Sequence, residues 1–246
     1  MTSTLKIDTI EPEGATTTLT VGESGQNTVI AGAGIKANVM KDAGGNAIFT
    51  SNGSGVVSGV NAGFGSAMAL LSTQNASTSA SLSFTSSIDS TYKEYVFEFI
   101  AIHPSDTSGP EFQFQANVSG QSGYDEEITS SAYYSYHGED GGGPGVSYTG
   151  GWDQAQGTSF QPIIVNIGAD NDECGVGELH IFNPASTSYV KTWYARGNSV
   201  SHESPPYIYE LFTSGYIDTA SAITEIQFKM SAGNIDSGTI KMYGVK

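Results

Sequence analysis

The stretch Tyr95-Val-Phe-Glu-Phe-Ile-Ala-Ile102 decides the fold class. Every residue in it is apolar except Glu98. A run this short, rich in aromatic and β-branched side chains, reads as a strand rather than a helix. Apolar character at both parities predicts a central strand covered on both faces, as in a packed sandwich.

Other strands follow outward from it. Phe112 and Phe114 alternate with Gln113 and Gln115, which predicts a strand with one dry and one wet face. Further strands are expected over residues 68 to 72, 80 to 84, 131 to 136, 160 to 167, 177 to 182 and 189 to 196. The segments 223 to 230 and 239 to 245, joined by Ser-Ala-Gly-Asn-Ile-Asp-Ser-Gly, read as a closing hairpin. Pro104, Pro110, Pro144, Pro205 and Pro206 all fall between or at the ends of these segments, where a residue without an N–H does no harm to a ladder.

Composition agrees. With 31 glycines and only 14% charged residues among 246, the wet surface must be built from Ser, Thr, Asn, Gln and Gly, which compete with or weaken a helical backbone. The formal charge is −16, and Arg196 is the single arginine. That balance argues against nucleic-acid binding through phosphates and against an anionic membrane surface. No run reaches the length of a membrane span, so no membrane insertion is expected. The opening residues lack a charged region followed by an apolar one, so no secretory signal is expected and synthesis in a cytoplasm is. Cys174 is the single cysteine, which excludes an intrachain disulfide framework and a multi-cysteine metal site.

The first 62 residues pose a different problem. Their one aromatic is Phe49, and Val21, Ile30, Val39, Ile48 and Val57 recur every nine residues, with Gly25 and Gly34, then Gly44 and Gly53, at the same interval. This pattern fits strands of four or five residues joined by glycine turns. Each strand offers one or two side chains to a core, against a backbone ordering cost of about 1–2 kcal/mol per residue. Packing against identical chains about a common axis removes the deficit; disorder is the alternative that low hydrophobicity permits. The fold expected is thus all-β: a glycine-rich oligomerising segment of short strands over residues 1 to 62, then a jelly-roll-like β-sandwich over residues 63 to 246.

A search for chemistry finds little. His103, His137, His180 and His202 form no His-Glu-x-x-His pair, since Pro206 stands four residues after His202. There is no Gly-x-Ser-x-Gly elbow, and the glycine run at 141 to 145 lacks the Lys-Ser/Thr of a phosphate loop. Paired carboxylates for glycoside cleavage remain open among 25 acids. The expectation is a non-enzyme without cofactors. Two loops stand out. Residues 131 to 154 set Tyr134, Tyr136, His137, Tyr148, Trp152 and Asp153 among glycines and acids, the residue types a glycan site uses, or else alternate core and interface tyrosines beside a long loop. Asp170, Asp172 and Glu173 offer hard oxygen ligands but no calcium-loop spacing, and a solvated acidic turn is the plainer reading.

Four phrases carry a resemblance: Ser3-Thr-Leu-Lys-Ile-Asp-Thr-Ile10, Gly14-Ala-Thr-Thr-Thr-Leu-Thr-Val-Gly22, Lys41-Asp-Ala-Gly-Gly-Asn-Ala-Ile48 and the terminal Ser237-Gly-Thr-Ile-Lys-Met-Tyr-Gly-Val-Lys246. With them the chain resembles short virion proteins of tailed phages, marine ones in particular, described as tail-fibre or head-fibre proteins. The resemblance implies a homotrimer attached to other virion proteins through residues 1 to 62, with a β-rich distal domain, located in the virion. A tail fibre that touches a host-surface glycan is the first expectation. A head fibre or capsid decoration protein is the alternative, and a carbohydrate-binding module the second alternative.

Overall fold

The computed structural model describes residues 39–42, 44–51, 54, 57–60 (backbone only) and 67–245. The chain divides into two units, Met1–Phe64 and Gly65–Lys246. All described regular structure is β; among the described residues there is no helix, so none is long and apolar enough to cross a membrane.

In the first unit three short strands, β1 (Val39–Lys41), β2 (Ala47–Ser51) and β3 (Val57–Val60), form an antiparallel meander. Val39, Ile48 and Val57 of the nine-residue series fall one in each strand; Val21 and Ile30 lie outside the described residues. The turn between β1 and β2 is closed by Asp42, whose carboxylate accepts the Asn46 backbone N–H at 2.8 Å while Gly45 takes a left-handed φ of 82°. The register runs Met40, Phe49, Val60 across the sheet.

The second unit holds β4 (Met68–Ser79), β5 (Leu82–Phe84), β6 (Glu94–Pro104), β7 (Phe112–Val118), β8 (Ile128–Gly138), β9 (Gly145–Tyr148), β10 (Gln161–Ile164), β11 (Gly175–Phe182), β12 (Lys191–Val200), β13 (Tyr207–Ile217), β14 (Ile223–Met230) and β15 (Ile235–Val245). They make an eight-stranded sheet in the order β4-β15-β6-β11-β12-β13-β8-β9 and a four-stranded sheet in the order β10-β7-β14-β5. The sheets share one core, so the unit is sandwich-like. At its centre Phe228 of β14 meets Phe97 and Phe99 of β6 at 5.3 and 5.2 Å between ring centroids, stacks on Phe112 at 5.6 Å and meets Phe84 edge-on at 6.0 Å. Phe114 closes on Trp193 at 5.0 Å. The contacts of Phe228 with Phe97 and Phe99, and of Phe114 with Trp193, join the two layers.

The founding stretch does form an interior strand, β6, but its two faces differ. Tyr95, Phe97 and Phe99 are buried toward the other sheet, while on the opposite face Glu98 stays half-buried and Ile100 is 37% exposed. A bulge then resets the alternation: Ala101 takes a φ of 51°, and Ile102 returns to the core with no exposure. Gly238 sits opposite at a φ of 131°, where a Cβ would lie 2.9 Å from the Ala101 carbonyl oxygen, so this bulge requires glycine.

Two expectations are corrected. The segments 223 to 230 and 239 to 245 do not form a hairpin: β14 pairs with β7 and β5, whereas β15 pairs with β4 and β6 in the other sheet, so their connection crosses between layers. Nor is the glutamine face of β7 wet along its whole length: Gln113 stays half-exposed, but Gln115 does not. Gln115 is fully buried, because the loops around Glu126 and residues 158–159 fold over it. Its amide donates to the carbonyl oxygens of Glu126, Thr158 and Ser159 at 3.0, 3.1 and 3.1 Å, which satisfies the buried donors and ties both loops to the strand. Strand β13, eleven residues long, falls in a segment for which no strand is expected from sequence.

Candidate functional site

The six aromatic-loop candidates are split between the two faces of the eight-stranded sheet. This sheet extends past the smaller one, and the overhang beneath β13 and β8 is filled by rings. Tyr134 packs edge-on to Trp152 at 5.0 Å and lies 5.6 and 5.8 Å from Tyr136 and Tyr209. Tyr134, Trp152 and Tyr209 rest on a small separate core of Ala132, Val165 and Leu211. Burial, with the Glu203 carboxylate beside the hydroxyl, pushes the Tyr209 phenol up to about 12. Tyr134, Tyr136 and Trp152 therefore pack on one another as half-buried side chains rather than standing out as platforms.

His137 and Tyr148 belong to the other face. Tyr148, on the edge strand β9, donates a short hydrogen bond to Asp153, and that bond holds its phenol above the usual range. The acidic candidates form a turn: the Glu173 carboxylate folds inward, is 8% exposed, and accepts the Asp170 backbone N–H at 2.9 Å. Among the described residues no group of three or more His, Cys, Asp or Glu is arranged to hold a metal.

The feature that residue patterns alone do not reveal is the outer face of the large sheet. Because cross-strand partners share a face, the register lays Lys241, Glu98, Glu178, Arg196, Phe212, Tyr133 and Tyr148 in one row across seven strands. The next row runs Thr239, Ile100, then, past an irregularity, Asn198, Glu210, Ser135 and Val146. Glu98 and Glu178 stand directly opposite each other, a like-charge pairing that costs stability unless cations flank it. Lys241 approaches Glu98 to 3.9 Å, and Arg196 is the cross-strand partner of Glu178. Arg196 itself is gripped by Glu210, with Nε donating at 2.6 Å and Nη2 making a short second contact. Its guanidinium lies 5.3 Å above the Phe212 ring, which stacks on Tyr133 at 5.0 Å with planes 7° apart.

Three depressions meet around this ion pair. One, of about 510 Å³, lies between Glu98, Ile100, Val176 and Arg196. A second, of about 440 Å³, is reached past Asn198 and Glu210 and lined by His137, Val146 and Ile208. The third, of about 220 Å³, has Tyr194 on one side, Phe212 and Tyr133 on the other, and Glu178, Arg196 and Ser214 around it. Tyr194 is braced from behind by His180, stacked at 4.4 Å, whose Nδ1 lies 2.6 Å from Glu94. A face that carries Ile100, Tyr133, Val146, Tyr148, Val176, Tyr194 and Ile208, all exposed, around a charged centre differs from the outer side of the small sheet, where Gln113, Gln227 and Glu225 predominate. Exposed apolar groups grouped on one face mark a contact surface.

Glu98 and Arg196 are conspicuous in the sequence, one interrupting an apolar strand and the other the lone arginine, yet only the strand register places them together. Comparison of the chain with protein-family models, with curated proteins and with solved structures finds no match.

Proposed function

We propose that the chain is a non-enzymatic structural protein of a tailed-phage particle: a trimeric tail fibre whose first 62 residues bind their own copies and other virion proteins, and whose distal unit faces the host surface. The observation that carries the reading is the contrast between the two units. In β1 and β2 no described side chain is buried, and Val39 and Met40 are 40% and 39% exposed, whereas the second unit has a complete aromatic core. Strands that bury so little do not offset their ordering cost within one chain, and symmetric copies supply the missing contacts. The four sequence phrases that resemble tailed-phage virion proteins, two of them within residues 1 to 22, support the same assignment. The second unit is read as jelly-roll-like because the chain passes back and forth between its sheets, as such connections do. Copies held together would turn weak surface contacts into avid ones.

Light scattering of the full chain tests the reading. A trimer of 25.7 kDa chains has a mass of about 77 kDa. Phe49→Asp, placed in the centre of the small sheet, is expected to yield monomers whose distal unit unfolds at the unchanged denaturant midpoint. A monomeric parent at micromolar concentration contradicts the proposal.

A further inference from the structure

We propose that the outer face of the eight-stranded sheet is a binding site for a neutral glycan, with one sugar ring seated between Tyr194 and Phe212 beside Arg196. The inference rests on the adhesive half of the function proposed above and is independent of the assembly half.

Shape is the first argument. The three depressions are joined through shared side chains, Glu178 and Arg196 between the smallest and the middle one, Asn198 and Glu210 between the middle one and the third. An oligomer of ring-sized units fills such a series. The smallest depression, at about 220 Å³, has room for about seven waters at ~30 Å³ each, enough for one ring and too little for a bulkier group.

Chemistry is the second. A sugar ring presents a C–H face and a fringe of hydroxyls. Tyr194 and the stacked Phe212–Tyr133 pair supply aromatic surface for the first. For the hydroxyls, the Glu178 carboxylate accepts, the Ser214 hydroxyl both donates and accepts, and the Arg196 Nη1 donors stay unused because Glu210 takes Nε and Nη2. The Glu210 and Phe212 contacts hold the guanidinium in one orientation, so little of its freedom is lost on binding.

Charge decides the class. Glu98, Glu178 and Glu210 outnumber Arg196 and Lys241 on this face of a chain with net charge −16, which repels sulfated or uronate polymers. A flat protein partner is disfavoured too. Interface centres are depleted in charged residues, whereas here charged residues sit in the middle and the apolar ones around them.

The test is affinity electrophoresis of the full chain through gels containing dextran, mannan, galactomannan, laminarin or xyloglucan, with polygalacturonate as the anionic control, alongside light scattering of the same samples. At least one neutral polymer is expected to retard the chain and polygalacturonate is not. Tyr194→Ala and Phe212→Ala are each expected to weaken retardation about three- to tenfold. Glu178→Gln is expected to weaken it without lowering the denaturation midpoint, and Tyr134→Phe, beneath the sheet, to leave retardation unchanged. The inference is overturned if none of the five neutral gels retards the chain, if only polygalacturonate does, or if Tyr194→Ala and Glu178→Gln both migrate as the parent does. A chain that trimerises yet passes every gel unretarded defeats this inference alone; a retarded monomer defeats the assembly proposal alone.

Discussion

Phe228→Ala measures how far the two sheets depend on each other. Phe228 has no exposure and touches four other phenylalanines, two of them on the facing sheet. Removing a fully buried ring forfeits about 2–3 kcal/mol of transfer free energy. The void left is on the order of 90 Å³, and at ~24 cal/mol per Å³ it adds about 2 kcal/mol. Edge-to-face geometry adds a few tenths per pair, but the four pairs share one ring and do not sum. The expected loss is about 4–5 kcal/mol, near the top of the range for Phe→Ala. Urea denaturation followed by tryptophan fluorescence reads it directly, since Trp193 packs on Phe114 in the same core. The midpoint should fall with the slope unchanged, because the surface exposed on unfolding is nearly the same. Phe228→Leu should recover more than half of the loss. A loss below about 2 kcal/mol would mean that the rings do not carry the contact between layers, and the sandwich would then owe its stability to its strand ladders.

Three further outcomes follow from the same structure. Gln115→Leu strips the amide from three loop carbonyls and should cost about 2–3 kcal/mol in urea denaturation, with faster proteolysis at residues 119–127 and 154–160; a near-neutral result refutes the tethering role. Gly197→Ala places a Cβ 2.1 Å from the Ile163 carbonyl oxygen, where backbone must move, and should lower stability by about 2 kcal/mol or more, whereas Gly143→Ala, with open space around it, should be neutral by the same measurement. The Glu126 carboxyl is held above its ordinary 4.5, first by burial and then by Asp125, with Lys191 pulling it back. The folded chain keeps this proton to higher pH than the unfolded chain, so its stabilising contribution is full below 4.5 and is lost as pH rises through the raised value. The stability of the parent minus that of Glu126→Gln should therefore fall as pH rises above 4.5, and a flat difference refutes the assignment.

The layered β architecture was legible because it depends on local pattern. Residues 95 to 102 and the alternation at Phe112 and Phe114 are strand signals that need no partner to be read. What could not be read was which strand pairs with which. The connection from β14 to β15 looks like any short hairpin loop, and only the competition between the β7 edge and the β6 edge sends the two strands to different sheets. Gln115 misled for a related reason: a glutamine facing outward from a strand is wet unless loops distant in sequence fold over it. Strand β13 is not legible locally because Thr-Ser-Gly inside it and Pro205-Pro206 before it read as loop, while its long ladders to β12 and β8 override local propensity.

The same limit governs the site. A twisted ladder turns seven separate strands into one row, so Glu98 and Arg196, nearly a hundred residues apart, are brought together with Glu178 between them. Local density pointed instead to residues 131 to 154, where aromatics are concentrated. Density does not distinguish the two faces of a strand, and alternation sends Tyr134 and Tyr136 inward to fill the overhang while Tyr133 turns outward to stack on Phe212. The glycan site proposed above therefore draws on the outward-facing Tyr133 of β8 together with residues of β11, β12 and β13, and not on the inward pair Tyr134 and Tyr136. A sheet face that pairs two glutamates across strands offsets the repulsion with Lys241 and the Tyr243 hydroxyl at Glu98 and with Arg196 and His180 beside Glu178, and a ligand whose hydroxyls donate to those carboxylates would relieve it further. If that is what the pairing is for, Glu178→Gln should raise the stability of the free protein while weakening its hold on the glycan gel, a combination that a purely structural role for Glu178 would not produce.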